Sequence, residues 1–253
     1  MTYIYAYSNH KYGLSRLRRM AVRYQELQAQ GVEVEMLTND FRAASVIREY
    51  GVPACTTIET VWDIDFVAQR GDSVIMDTPE DDQGKLEQYV EIFMKVQRVA
   101  ISCEDSSRYG EEVLHPNPMT DPWYAMHKTE PKVEKTLFFY GDSDPEKWLE
   151  KQLDLFAGLE MDLLLGEYFY QGYETALLPL FSVQHEAEAY REMLAQSQKV
   201  VTCVEQTAYE ASSAGAEVIY LGTVDTCQRE LMEALAIKIV SIIDKESLQK
   251  LSI

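Results

Sequence analysis

The sequence predicts an α/β protein made of two Rossmann-like, doubly wound parallel-sheet domains facing a cleft. Three observations carry this. Short β-rich apolar runs alternate with longer stretches of helical spacing along the chain. The alternation breaks once, in a proline-dense stretch, and then resumes. The chain has 253 residues, 46% of them hydrophobic and 26% charged, which is ordinary for a globular protein and enough to bury two cores.

Thr2–Tyr7 is the first expected strand. Leu14, Leu17, Ala21, Tyr24 and Leu27 then recur at helical spacing. Val32–Leu37 alternates as a strand, and Phe41–Tyr50 reads as a helix closed by Gly51 and Pro53. Ser73–Met76 is a buried strand, followed by a helix around Lys85–Val96 and a strand at Val99–Ser102. Between His115 and Lys135 lie Pro116, Pro118, Pro122 and Pro131, half of the 8 prolines, a density that helix and sheet interiors reject. The expected division is therefore a domain over 1–119, a linker over 120–135 and a second domain over 136–253. In the second, strands are expected at Thr136–Tyr140, Asp162–Leu165, Lys199–Cys203, Glu217–Leu221 and Ile237–Ile242. Helices are expected from the Gly141 loop to about Leu155, and at Glu186–Leu194, Tyr209–Ala214 and Cys227–Ala236. Tyr168, Phe169, Tyr170 and Tyr173 form an aromatic cluster between these elements, suited to sugar stacking, a dimer contact or core.

Lys plus Arg is 23 and Asp plus Glu is 42, a net charge of −19 spread over both halves. That argues against nucleic acid or an anionic membrane as the main partner. Met1–Tyr7 is apolar but too short for a secretory leader, and no apolar run approaches a membrane span. Cys55, Cys103, Cys203 and Cys227 lack C-x-x-C spacing and are expected to be reduced thiols of a cytoplasmic protein. The four histidines make no H-x-x-x-H pair, so no metal or other cofactor is expected.

In open α/β sheets ligands sit beyond the carboxyl ends of the strands, so the loops there are the candidates. The first runs from Ser8 to Arg16. Gly13 permits a tight turn into a helix whose N-terminus suits an anion. Lys11, Arg16, Arg18, Arg19 and Arg23 follow without an acid between them. Arg16, Arg19 and Arg23 also fall opposite the apolar stripe, where they would simply be solvated. The second loop is Gly141-Asp142-Ser143-Asp144-Pro145, where Ser143 or Asp144 can cap the next helix. In the third, Thr207 and Glu210 stand three apart near a helix start. Glu210 there can accept from the vicinal hydroxyls of a ribose, or the pair can form a capping box.

Together these loops resemble the glycosyltransferase-B-like (GT-B) UDP-sugar hydrolases of pseudaminic acid biosynthesis and the related spore-coat polysaccharide biosynthesis proteins. Gly13, Ser15, Arg16 and Arg19 lie on that family's G-x-G-H-x-x-R turn. Gly141-Asp142-Ser143-Asp144-Pro145 lies on its G-G-[ST]-D-P, and Thr207, Glu210 and Gly215 on its last motif. Phe181–Tyr190 resembles the segment that walls the uracil pocket, and the strand ends Val74–Thr78 and Val99–Asp105 match as well. The resemblance implies UDP bound by Gly141, Ser143, Val183, Thr207 and Glu210, and a sugar met by Gly13 and Asp105. His10, Arg16 and Asp77 are the candidates for catalysis.

The departures cluster at the phosphate site. Arg16 stands where the family has its histidine, and an arginine cannot accept a proton at neutral pH. Ser15 and Asp142 replace glycines, Val204 and Glu205 replace small residues, and Glu217 replaces a proline. Two readings follow. One is a UDP-sugar hydrolase or glycosyltransferase of bacterial surface glycan synthesis, with His10 or Asp77 as the base. The other is a non-catalytic relative that binds a protein partner. They differ in whether the N–H groups near Thr207 are open or capped by Glu205. A dinucleotide oxidoreductase is disfavoured because no G-x-G-x-x-G follows a strand.

Overall fold

The computed structural model describes residues 1–115, 118–169 and 177–241. The chain divides into two compact units: Met1–Asn9 with Leu14–Met119, and His10–Gly13 with Thr120–Ile253.

The first unit holds six parallel strands: β1 (Thr2–Ala6), β2 (Val34–Thr38), β3 (Cys55–Thr57), β4 (Ser73–Asp77), β5 (Lys95–Val99) and β6 (Glu112–Leu114). Their order in the sheet is β3-β2-β1-β4-β5-β6. The connections include α1 (Ser15–Ala29), α2 (Phe41–Val46), which continues as a 3₁₀ turn to Tyr50, and α3 (Lys85–Ile92). The expected stripe of α1 is buried: Leu14, Leu17, Ala21, Tyr24 and Leu27 all lie in the core. On one face of the sheet Tyr3, Tyr5, Val74, Met76 and Val96 pack with Leu86, Tyr89 and Phe93.

The fifth strand corrects the sequence reading. It is Lys95–Val99, not Val99–Ser102, and α3 ends at Ile92 rather than near Val96. Buried Gln97 and Arg98 interrupt the apolar run that marks a strand covered on both faces. The short strands β3 and β6 also lay outside the expected pattern.

The second unit repeats the scheme with β7 (Val133–Phe139), β8 (Met161–Leu164), β9 (Gln184–His185), β10 (Ser197–Thr202), β11 (Glu217–Leu221) and β12 (Lys238–Val240). These parallel strands lie in the order β12-β11-β10-β7-β8-β9. The helices are α4 (Pro122–Met126), α5 (Trp148–Lys151), α6 (Leu153–Phe156), α7 (Tyr190–Gln196), α8 (Glu205–Ser213) and α9 (Thr226–Ala234). One face buries Leu137, Phe139 and Leu164 against Leu194, Ala208, Ala211 and Met232. The other buries Phe138, Leu163, Val201 and Ile219 against Leu149 and Phe156.

Helix α4 lies inside the proline-dense stretch because Pro122 takes its first position, where no N–H is needed, and Asp121 caps the Trp123 N–H. Helix α8 starts four residues before the expected Tyr209. Of the aromatic cluster, Tyr168 is buried and Phe169 packs on the core, while Tyr170 and Tyr173 lie outside the described residues. The end of the last expected strand, Ile242, does too.

Cys55 and Cys203 are free thiols that burial pushes up to about 12, so they are poor nucleophiles. Cys103 and Cys227 are disulfide-bonded, against the expectation of four reduced thiols. The cysteine argument for a reducing compartment therefore falls away. Among the described residues no helix is long and apolar enough to cross a membrane.

Candidate functional site

Both sheets carry the same doubly wound order, counted from each unit's own first strand. Each therefore has one switch point where the connections leave in opposite directions: β1 beside β4, and β7 beside β10. Ligand crevices open at the carboxyl ends of such strands.

In the first unit, Asp77 is the last residue of β4 and is 2% exposed. Residues Arg16 and Arg19, three apart on the first turns of α1, share the face that meets it. Arg19 donates to both carboxylate oxygens, with Nη2 at 2.7 Å from Oδ1, and the Arg16 Nε lies 3.5 Å from Oδ1. Arg19 is thus tied back to the sheet rather than solvated, whereas Arg23 pairs with Glu26 along the helix. Arg18 points the other way and donates to the Tyr50 hydroxyl at 3.2 Å. In the His10–Gly13 segment, which belongs to the second unit, Gly13 is buried with φ +66° and His10 is exposed. Asp105 lies further along the edge, both its oxygens held by Arg98.

With both oxygens engaged by one guanidinium, Asp77 fixes cations in place. Asp77→Asn is expected to lower stability by about 2 kcal/mol, as for hydrogen bonds to charged groups. Thermal unfolding checks this; an unchanged midpoint would show that the pairing holds nothing together.

In the second unit, Gly141 follows β7 at φ +156°. Gly166, after β8, lies directly against it. A Cβ built on Gly166 would sit 2.3 Å from the Asp142 Cα and from the Gly141 carbonyl oxygen. The Tyr168 N–H fixes the same loop by donating to the Asp142 carbonyl at 2.8 Å. Asp144 is the cap expected of this loop: its two oxygens accept the N–H groups of Trp148 and Leu149, each at 2.8 Å. Helix α5 begins at Trp148 rather than at Pro145. Ser143 is half-buried, and Val183, just before β9, is exposed.

Helix α8 follows β10 at the switch point. Its N-cap is Val204, which has no side-chain acceptor to offer. The Thr207 N–H has no hydrogen-bond partner among the described residues. Glu205, the acid at the first turn, accepts from Gln228 Nε2 on α9 at 3.0 Å. Residue Thr207 is the third of the helix rather than its cap, so the capping-box reading of Thr207 and Glu210 does not apply.

Thr207 and Glu210 do share a face, and that face meets α7. Tyr190 Oη donates to Glu210 Oε2 at 2.7 Å and lies 2.8 Å from Thr207 Oγ1. Gln206 Nε2 reaches the other oxygen at 2.8 Å, and Tyr124 Oη stands 3.4 Å from Oε2. Glu210 is 1% exposed. A diol reaching this carboxylate has to join these donors or displace one of them.

Sequence reasoning missed Gly166, Gln228 and the Tyr124–Tyr190 pair. Gly166 had a visible signal: it closes an apolar run, Leu163-Leu164-Leu165, just as Gly141 closes the run ending at Tyr140.

No protein-family model and no curated protein matches the sequence. Solved structures do match the fold. The glycosyltransferase SnogD from Streptomyces nogalater superposes with a TM-score of 0.60 at 13% identity, over 99% of this chain and 90% of that one. A putative UDP-N-acetylglucosamine 2-epimerase from Listeria monocytogenes gives 0.56 at 11%, over 98% and 86%. The UDP-GlcNAc 2-epimerase from Neisseria meningitidis, solved bound to UDP-GlcNAc, gives 0.54 at 11%, over 99% and 90%. Identities this low speak for the fold, which is GT-B: two six-stranded, parallel, Rossmann-like sheets.

Proposed function

We propose that the second unit binds the nucleotide of a UDP-sugar at the β7/β10 switch point, and that the protein hydrolyses or transfers that sugar in bacterial surface glycan synthesis. One observation carries the reading. Val204, the N-cap of α8, offers no side-chain acceptor, the Thr207 N–H has no partner among the described residues, and Glu205 accepts from Gln228. A helix start at a switch point offers positive dipole, and here the Thr207 N–H, to a diphosphate. In this reading Gly141, Ser143 and Thr207 meet the phosphates, Glu210 the ribose, and Val183 the base. Gly13, Arg16 and Asp105 serve the sugar side. Arg16 holds charge but moves no proton. The imidazole of His10 is then the group to accept a proton from water or an acceptor hydroxyl as UDP departs.

The second reading, a non-catalytic relative with a protein partner, is favoured by Arg16 in place of the family's histidine. The position of Glu205 counts against it.

Thermal unfolding with UDP, UDP-sugars, ADP and inorganic phosphate separates them. Ligand at a hundred times Kd adds about 2.7 kcal/mol, which raises the midpoint by roughly 5–11 °C in a chain of this size. UDP compounds are expected to give this rise and phosphate not. Glu205→Gln removes a negative charge beside the diphosphate and is expected to tighten UDP about tenfold. No shift with any nucleotide, in either protein, would sink the proposal.

A further inference from the structure

The first unit contains a cavity that the nucleotide reading does not use. It lies at the carboxyl ends of β4 and β5, walled by Val61, Met76, Leu86, Tyr89 and Val99. Its empty space, about 460 Å³, counts the open solvent at the mouth together with the enclosed part. Two carboxylates line it, Glu80 and Asp82, and Asp82 is bound to Arg108.

Glu80 is held in an unusual way. Its Oε2 takes three donors: Tyr5 Oη at 2.7 Å, Thr78 Oγ1 at 2.9 Å and the Val61 N–H at 3.2 Å. Its Oε1 has no donor among the described residues. Three bonds to one oxygen fix the carboxylate rigidly while the other remains an open acceptor beside apolar walls. A carboxylate oxygen accepts more than one hydrogen bond, and its bonds to a charged donor are the strongest it makes.

The surroundings fix the sign of the ligand. At the mouth Arg108 Nη2 is bound to Asp82 Oδ2 at 2.7 Å, and Arg98 is enclosed by Asp105 and Glu111. Both cations are therefore neutralised. Asp81 and Glu104, in the basin outside, have no ion pair among the described residues. The local field is negative where a ligand enters, which favours a cation and repels an anion.

We propose that this cavity binds a small apolar molecule carrying one primary ammonium group, whose N–H donates to Glu80 Oε1 while its hydrocarbon part lies among Val61, Met76, Leu86 and Tyr89. The cavity lies wholly within the first unit, so the inference stands or falls apart from nucleotide binding by the second.

Benzylamine, benzyl alcohol and benzoate form a matched set of probes: cation, neutral donor and anion on one ring. The full-length, ¹⁵N-labelled protein is titrated with each at millimolar concentration and followed by amide chemical shifts. Benzylamine is expected to move the Val61, Thr78 and Gly84 amides saturably, benzyl alcohol about tenfold more weakly, and benzoate not at all. Glu80→Gln keeps the shape and removes the charge. It is expected to bring benzylamine down to the level of benzyl alcohol. Equal binding of amine and alcohol to the wild type overturns the proposal, as does no saturable shift with any probe. Unchanged benzylamine affinity in a folded Glu80→Gln protein does the same. Should that variant fail to fold, the comparison of amine with alcohol on the wild type decides alone.

Discussion

Replacing Arg98 by methionine is expected to cost the first unit about 3 kcal/mol, the penalty for stranding the buried Glu111 carboxylate beside the half-buried Asp105. Its Nε donates to Glu111 at 2.8 Å, its Nη1 and Nη2 to Asp105 at 2.5 and 2.8 Å, and Nη2 also to the Ser106 carbonyl at 2.6 Å. Methionine fills the volume and removes every one of these donors. Burial alone would raise the Glu111 carboxyl. The Tyr109 and Arg108 N–H groups and the Arg98 guanidinium outweigh it, and the group sits at about 2. Asp105 is held well below the usual carboxylate range, chiefly by the Arg98 hydrogen bonds.

Folded values below the unfolded ones mean that these carboxylates stabilise the native state above their unfolded pKa. That stability is lost as the pH falls through the folded values. For Glu111 the window runs from 4.5 down to about 2. Without Arg98 the folded values move up towards the unfolded ones, so the loss of stability on acidification should be smaller than in the wild type. Urea unfolding across a pH series, read through Trp62 in the first unit, measures both effects. A variant within about 1 kcal/mol of wild type at neutral pH would show that the fork contributes no more than an exposed ion pair.

The second large effect is expected at Gly166. Alanine there puts a methyl group 2.3 Å from the Asp142 Cα and the Gly141 carbonyl oxygen, both backbone atoms that no rotamer change can move aside. The β7 and β8 loops have to separate, at a cost of about 3 kcal/mol or more. The same displacement shifts the Gly141 loop, so the UDP-dependent rise in midpoint should vanish together with part of the stability. Alanine tolerated with both midpoint and UDP response intact would mean that these loops do not need their close approach.

Most of the fold was legible because strands covered on both faces read as unbroken apolar runs. Ser73–Met76, Thr136–Tyr140 and Glu217–Leu221 all fall on strands for this reason. The strand holding Arg98 was displaced in the reading because its partners, Asp105 and Glu111, neutralise a charge that the sequence alone marks as exposed. The strands β3, β6 and β9, of two or three residues each, are too short to show a period. At the candidate site, the glycine after β7 and the face shared by Thr207 and Glu210 could be read from local spacing. The grip of Arg19 on Asp77 spans 58 positions and leaves no trace in any periodicity. The three donors gathered by Glu210 come from α4, α7 and α8, and only a tertiary structure brings them together.

Within each sheet every strand finds its hydrogen-bonding neighbours among strands of the same half of the chain. Synthesis on the ribosome therefore delivers a complete hydrogen-bonded layer before the first strand of the next has been made. Domains fold as units during synthesis, the amino-terminal one first. The β4 edge that carries Asp77 needs no strand from the other half to complete its ladder. The two halves can thus vary in sequence at separate rates, so a lineage could rework one ligand crevice without unpicking the sheet that supports the other.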